Sequence, residues 1–156
     1  MRSTVLVTLF ALMVAGLAVA AEPDAIVGVW ATEPDPVDGN AHVEVWKEGD
    51  RFFGKIIWLE KPEYAADDRM AGQPKVDREN PDEAVRQRSL IGLRILADFR
   101  SAGDGEWNKG TIYDPDNGKT YKCVARLADD GRTLKVRGFV GFSLLGRTTE
   151  WTRVEP

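Results

Sequence analysis

Residues 107–127 read WNKGTIYDPDNGKTYKCVARL, and this stretch decides the fold. Two strand-like runs, 107–113 and 119–127, flank the pentapeptide Asp114-Pro115-Asp116-Asn117-Gly118. The proline fixes φ and Asn-Gly tolerates positive φ, so the pentapeptide forms a strong turn. Two strands joined by such a turn form an antiparallel hairpin.

The rest of the C-terminal half continues this rhythm. Asp129-Asp130-Gly131 is a second turn, residues 133–142 form another strand-like run, and a last strand covers 146–154. Successive strands linked by short turns form an antiparallel meander.

The N-terminal half contains a second hairpin. Residues 26–31 are short and apolar, residues 42–47 alternate, and Glu48-Gly49-Asp50 is a turn that leads into 51–59. Both faces of 51–59 carry apolar groups, which is typical of a central strand.

The middle of the chain breaks the pattern. Residues 61–78 have no periodicity and many charges, which indicates a long surface loop. Asn80 is a good N-cap, Pro81 suits the first helical position, and Glu83 occupies the glutamate position of a capping box, so a short helix is predicted near 81–88. Residues 90–99 fit neither period cleanly, and Gly92 and the β-rich context favour a strand.

These elements predict seven or eight strands and one short helix. A sheet of this size must cover its apolar face, and closure into a barrel does so while removing the exposed edges. The expected fold is therefore an all-β, antiparallel up-and-down barrel.

The first twenty residues resemble a secretory signal peptide. Arg2 supplies a positive charge, 5–19 is apolar apart from Thr8, and Ala18-Val19-Ala20 offers small residues for cleavage. An uncleaved membrane anchor is the alternative, but a spanning helix needs about 20 apolar residues. We expect residues 1–20 to be removed and 21–156 to form one exported domain, periplasmic or secreted, without stable membrane insertion after cleavage.

Composition excludes several functions. The chain carries 21 basic and 25 acidic side chains, a formal net charge of −4, whereas nucleic-acid binding needs a basic stripe. One histidine and one cysteine cannot make a zinc site. We therefore predict no nucleic-acid partner, no metal site and no cofactor.

No catalytic constellation stands out. Ser143 lacks the Gly-X-Ser-X-Gly spacing. Cys123 shares one face with Ala125 and Leu127 and alternates with Lys122, Val124 and Arg126, so it is expected to face the interior of a strand pair, where a thiol reacts poorly. The carboxylates Asp77, Glu79, Asp82 and Glu83 could hide a glycosidase-type pair, but acidic residues are expected at a helix start. The sequence favours a protein that is not an enzyme.

Several further segments resemble one family of exported bacterial proteins. They are Gly28-Val29-Trp30, Gly54-Lys55-Ile56-Ile57-Trp58-Leu59, Asp77-Arg78-Glu79-Asn80-Pro81-Asp82, Gly92-Leu93-Arg94-Ile95-Leu96, Gly110-Thr111-Ile112-Tyr113-Asp114-Pro115, Asn117-Gly118-Lys119-Thr120-Tyr121, Val136-Arg137-Gly138-Phe139, Leu145-Gly146-Arg147-Thr148 and Trp151-Thr152-Arg153. Together they are similar to the domain-of-unknown-function family 2147. The resemblance implies a lipocalin-like (calycin) barrel and says little about activity. It also suggests a lipocalin-like closure, in which Trp30 plugs the barrel floor and the guanidinium of Arg153 packs over its ring.

Strand aromatics suggest a binding function. We take Trp58, Tyr113, Tyr121 and Arg137 as candidate ligand-binding residues, with barrel packing as the alternative for the aromatics. An arginine that faces the interior could bind a ligand carboxylate or phosphate, and alternation leaves open which face is inner. The expected function is the binding of a small apolar or amphipathic molecule. The alternatives are an envelope interaction module with an apolar patch on 90–99 and an envelope hydrolase.

Overall fold

The fold is a closed antiparallel barrel of eight strands, seen in a computed structural model that describes residues 22–141 and 145–155. Each strand pairs with its neighbour in the chain, and the first pairs with the last. The prediction of an up-and-down barrel is confirmed. The strands are β1 (Gly28–Ala31), β2 (Ala41–Glu48), β3 (Arg51–Leu59), β4 (Arg94–Gly103), β5 (Glu106–Asp114), β6 (Lys119–Leu127), β7 (Thr133–Phe139) and β8 (Gly146–Arg153).

Large side chains fill the inside of the barrel. Trp30, Phe52, Phe99 and Trp107 are almost completely buried in one core cluster, and Trp151 joins them from β8. Because an eight-stranded barrel is just wide enough to be filled by side chains, these rings occupy its centre and exclude water there.

One end of the barrel, the closed end, is sealed by residues 23–27. The Trp30 indole donates to Ile26 O at 2.8 Å, and the Arg153 guanidinium lies 4.2 Å from the Trp30 ring centroid. Gly28 has φ +133°, and a Cβ there would lie 2.8 Å from Arg153 Nη1. The glycine of Gly28-Val29-Trp30 therefore leaves room for the arginine that covers the tryptophan.

The opposite end, the mouth, carries the β1–β2 loop, the β5–β6 turn and residues 60–93, which we call the mouth segment. Isolated bridges between Glu63 and Pro74 and between Val76 and Ser89 fold this segment back on itself. Gly118, at the tip of the β5–β6 hairpin, has φ +69°, and a Cβ there would come within 1.9 Å of Glu79 O. The absent side chain lets the mouth segment dock on the hairpin.

The predicted helix near 81–88 is wrong in length and in its cap. Only Glu83–Val85 is helical, as a 3₁₀ turn, and its N-cap is Asp82, whose carboxylate accepts from Ala84 N. Asn80 instead turns its amide into a buried network, and Glu83 pairs with Arg86 rather than closing a capping box. The Asn80 side chain serves both purposes, since its Oδ1 accepts from Asp82 N at 2.9 Å while its Nδ2 donates to Asp77 and Tyr113.

Two other segments differ from expectation. Residues 61–78 are not merely a surface loop, because Tyr64 and Asp77 within them are buried. Of the ambiguous run 90–99, residues from Arg94 onward belong to β4, while 90–93 form a turn that packs Leu90 and Leu93 into the core. Among the large apolar side chains of this run only Ile91 is exposed, so the run does not form the apolar patch considered above.

The predicted signal peptide lies outside the described residues. Within 22–141 and 145–155, no helix is long and apolar enough to cross a membrane.

Candidate functional site at the mouth of the barrel

A cleft of about 770 Å³ opens at the mouth, and we call it the mouth cleft. The β1–β2 loop, the mouth segment and the β5–β6 turn form its walls, and the ends of β2 and β3 reach into it. Its volume falls in the range of about 300–1,000 Å³ that is typical of small-molecule sites.

The floor of the mouth cleft is apolar. Ile56 and Leu90 are buried members of the core cluster, and Leu59 and Ala41 pack against the same cluster. The filled barrel therefore ends in an apolar surface on which a ligand's hydrocarbon part can rest.

The walls of the cleft are polar and largely ion-paired. Lys75 Nζ lies 2.7 Å from Asp38 Oδ1, which joins the mouth segment to the β1–β2 loop. Arg78 donates to both carboxylate oxygens of Asp68 at 2.9 Å, and its guanidinium lies 4.3 Å from the Tyr64 ring centroid. These contacts hold the walls in place without a ligand.

Asp116 lies on the wall formed by the β5–β6 turn. Its side chain reaches solvent, yet partial burial raises its pKa, and the like charges of Asp114, Asp38 and Asp35 raise it further. Lys75 is the cation that opposes this shift. The wall is therefore a region of negative potential.

A buried carboxylate anchors the mouth segment to the barrel. Asp77 is fully buried and accepts hydrogen bonds from Tyr113 Oη at 2.5 Å, Asn80 Nδ2 at 2.8 Å and Arg88 Nε at 2.9 Å. A second guanidinium nitrogen of Arg88 lies 2.8 Å from Asp77 Oδ2. Asp77 does not line the cleft, and its carboxylate joins the mouth segment to Tyr113 of β5, so it positions the segment.

Trp58 does not face the barrel interior. Residue 57 is an extra residue in β3, since His42 pairs with Trp58 while Val43 pairs with Ile56. A bulge of this kind moves the following side chain to the other face. Trp58 is accordingly 42% exposed on the outer face, with its ring centroid 4.5 Å from that of His42.

The two tyrosines lie close to the mouth but line other surfaces. Tyr113 serves the Asp77 anchor, and burial together with that carboxylate raises the pKa of Tyr113 to about 12. Tyr121 Oη accepts from Asn117 Nδ2 at 3.1 Å, within the β5–β6 hairpin. Both tyrosines therefore shape the hairpin that carries one wall of the cleft.

Arg137 lies on the outer face of β7. Its neighbours Val136 and Gly138 take the inner positions, and it donates to Thr148 Oγ1 at 3.1 Å. It borders a shallow groove of about 380 Å³ with Asn108 and Val124. The four candidate ligand residues are thus not brought together, and none of them lines the mouth cleft.

The structure does bring Trp30 and Arg153 together. Besides lying over the indole, Arg153 donates to Ala25 O at 2.5 Å, Val27 O at 3.1 Å and Gly131 O at 3.2 Å. These bonds tie β8 to the chain before β1 and to the β6–β7 turn, so the pair closes one end of the barrel.

The groups considered for catalysis are separated. His42 lies on the outer face of β2 against Trp58, whereas the buried side chain of Cys123 faces the barrel interior from β6. Burial raises the pKa of Cys123 to about 12, which leaves almost no thiolate at neutral pH. Among the described residues, no group of three or more His, Cys, Asp or Glu side chains could hold a metal ion.

Sequence reasoning missed the residues that line the cleft, notably Tyr64, Lys75, Arg78 and Asp116. Three of them lie in the mouth segment, which carries no periodic signal. The length of the mouth segment was the available clue to a binding site, since a loop longer than about 15 residues in a compact domain usually has a function.

Comparison with known proteins supports the fold. Residues 28–153 match the sequence model of the family described as "Uncharacterized protein conserved in bacteria (DUF2147)". The barrel is also similar to the solved structure of protein HP1028 from the human pathogen Helicobacter pylori, described as belonging to the lipocalin family. The two share 23% identity and a TM-score of 0.70 over 83% of this chain and 82% of that one. A comparison with curated proteins gave no match.

Proposed function

Since this chain belongs to the bacterial family DUF2147, we propose that it is an exported, non-catalytic protein that binds a small amphipathic molecule in the mouth cleft. The lipocalin-like barrel is consistent with a binding module. The observation that carries the proposal is a cleft of about 770 Å³ with an apolar floor and polar walls.

The position of the cleft determines how a ligand binds. The rings of Trp30, Phe52, Phe99 and Trp107 occupy the barrel centre, so the hydrocarbon part lies across the top of the core on Ile56, Leu59 and Leu90. Burial of apolar area gives about 25 cal/mol per Å², so a ligand that covers about 150 Å² of this floor gains about 4 kcal/mol before the cost of association.

Native mass spectrometry after incubation with a bacterial lipid extract tests the proposal. We expect a retained mass on the wild type and on Ala102→Trp, which adds an indole to an exposed position of β4 outside the cleft. Ala65→Trp adds the same side chain to the cleft wall and is expected to abolish retention. Equal retention by both variants would exclude the cleft, and no retained mass on the wild type would end the proposal.

Export is part of the proposal and rests on the signal-peptide pattern of residues 1–20. Cell fractionation followed by mass determination tests it. We expect a product that begins at Ala21 in the envelope fraction. A full-length product in the cytoplasm would contradict export.

A second candidate is an interaction module of the envelope without a ligand. Val140 and Leu145, two described residues of the β7–β8 connection, are 62% and 72% exposed. Exposed aliphatic side chains of this kind occur in contact surfaces. Crosslinking in cells from position 140, with position 129 at the closed end as the control, separates this function from ligand binding.

A further inference from the structure

The mouth cleft has an excess of negative charge. Two basic side chains line it, Lys75 and Arg78. The acidic side chains that line it are Glu33, Asp35, Asp38, Asp67, Asp68, Glu79 and Asp116. A molecule that enters the cleft therefore meets more carboxylates than cations.

Both basic side chains are already engaged by carboxylates. Lys75 is largely buried, with 11% of its side chain exposed, and its ammonium lies 2.7 Å from Asp38. Arg78 makes a two-point contact with Asp68 and lies 3.5 Å from Glu79. Neither cation is placed to bind a ligand anion without first giving up these contacts.

Two further carboxylates of the cleft wall lie near enough for the charge of one to act on the other. Asp116 extends from the β5–β6 turn, and the β1–β2 loop contributes Asp35, whose carboxylate also accepts from Val37 N and Asp38 N. Lys61 and Arg147 also act on Asp35 and offset part of its charge, whereas Asp116 is affected by the like charges of Asp114, Asp38 and Asp35 with Lys75 opposing them. Like charges that share a wall repel one another, and a cation between them relieves that repulsion.

We propose that the ligand of the mouth cleft is an amphipathic organic cation, with its ammonium group beside Asp35 and Asp116 and its apolar part on the floor of Ile56, Leu59 and Leu90. This inference rests on the proposed function and adds the charge of the ligand to it. An anionic amphiphile of the same length would meet the same floor but a repulsive wall, and like-charge contacts discriminate strongly against the wrong partner.

Calorimetric titration with three octyl probes tests the inference: octyltrimethylammonium, octyl glucoside and octyl sulfate, each below its micelle concentration. We expect the cation to bind at least tenfold more tightly than the sulfate, with the neutral glucoside between them. The preference is expected to shrink as salt is raised, because mobile ions screen the partly exposed carboxylates.

Two variants and one control locate the effect. Asp116→Asn and Asp35→Asn keep the side-chain size and are each expected to weaken octyltrimethylammonium binding about threefold to tenfold. Both variants are expected to change octyl glucoside binding less than they change octyltrimethylammonium binding. Asp129→Asn removes the same charge from the β6–β7 turn at the closed end, and we expect it to leave all three affinities unchanged.

Each outcome decides between the two claims. If octyl glucoside binds and Ala65→Trp abolishes that binding, but the cation has no advantage over the sulfate, the inference is overturned and the proposed function stands. If no probe binds, or if Ala65→Trp binds the probes as the wild type does, the proposed function fails as well. A cation preference that survives both aspartate substitutions would also overturn the inference.

Discussion

Replacing Asp77 with asparagine is expected to release the mouth segment while leaving the barrel folded. The Asp77 carboxylate is buried and joins Asn80 and Arg88 of the mouth segment to Tyr113 of β5. Asparagine has nearly the same shape but offers one oxygen instead of two. If that oxygen stays with Tyr113, the new amide nitrogen faces donors on Asn80 and Arg88.

The magnitude follows from the bonds that are lost. Three short contacts reach Asp77 Oδ2, at 2.8 Å from Asn80 Nδ2, 2.9 Å from Arg88 Nε and 2.8 Å from Arg88 Nη2. Hydrogen bonds to a charged group are worth about 1.5–3 kcal/mol each. The Arg88 side chain is 46% exposed and regains water, so its share is discounted. We expect the mouth segment to lose about 2–4 kcal/mol of local stability.

Hydrogen exchange with peptide resolution measures this loss. The amide of Asp77 donates to Arg88 O, and that of Leu90 donates to Lys75 O. A loss of about 2–4 kcal/mol speeds exchange of such amides about 30-fold to 1,000-fold if local opening controls it. Amides within β8, which lies three strands away from Tyr113 of β5 in the barrel order, are expected to keep the wild-type rate.

The matched control is Asp82→Asn. Asp82 lies in the same segment and caps the 3₁₀ turn through an oxygen that asparagine also has. We expect this variant to exchange like the wild type. Unchanged exchange in Asp77→Asn would refute the anchoring role. Equally faster exchange in every strand would show that Asp77 stabilises the whole barrel rather than the mouth segment.

Four shorter predictions concern other contacts. Gly118→Ala and Gly131→Ala both place alanine at positive φ, which costs about 1–2 kcal/mol of stability. Only at Gly118 would the new methyl group meet Glu79 O, so chemical denaturation is expected to show that Gly118→Ala lowers the free energy of unfolding by at least about 1 kcal/mol more than Gly131→Ala does. By the same assay, Arg153→Lys is expected to lower the free energy of unfolding by about 2–3 kcal/mol, because lysine cannot reach three carbonyls while covering Trp30. The control Arg132→Lys, on the exposed surface, is expected to stay within about 0.5 kcal/mol of the wild type. The raised pKa of Tyr113 means that its bond to Asp77 stabilises the fold below about pH 10 and is lost towards pH 12, so Tyr113→Phe is expected to remove the tyrosinate absorbance step near 12. Because the pKa of Asp116 is raised in the folded protein, stability is lost as pH rises through the ordinary aspartate range. Asp116→Asn is therefore expected to raise Tm at neutral pH but not at a pH below that range. A Tm difference that is the same at every pH would contradict this prediction.

The strand order could be predicted because turns interrupt the sequence at regular intervals. Asn117-Gly118 and Asp130-Gly131 mark hairpins through local backbone preference alone, and β6 begins and ends at the predicted residues. The pairing of Trp30 with Arg153 was suggested by family resemblance, and the structure places the two in contact.

The face of the barrel on which each candidate side chain lies could not be predicted from the sequence, and the reasons are physical. The bulge at residue 57 has no sequence signature, yet it turns Trp58 outward. Arg137 shares its face of β7 with Phe139, while Leu134 and Val136 lie on the other face, so both faces carry apolar residues and alternation did not identify the inner one. Asn80 keeps a local hydrogen bond from Asp82 N, but its amide nitrogen also donates to Tyr113, a partner that only the tertiary fold brings near.

The seal at the closed end has a consequence for the order of folding. Arg153 reaches Ala25 across 128 positions of the chain, and this contact ties the first strand to the last. Because closure of the barrel needs contacts between its first and last strands, the barrel cannot close until almost the whole chain has been synthesised. Non-local contacts of this kind slow folding, so we expect the chain to fold more slowly than a helical protein of equal length.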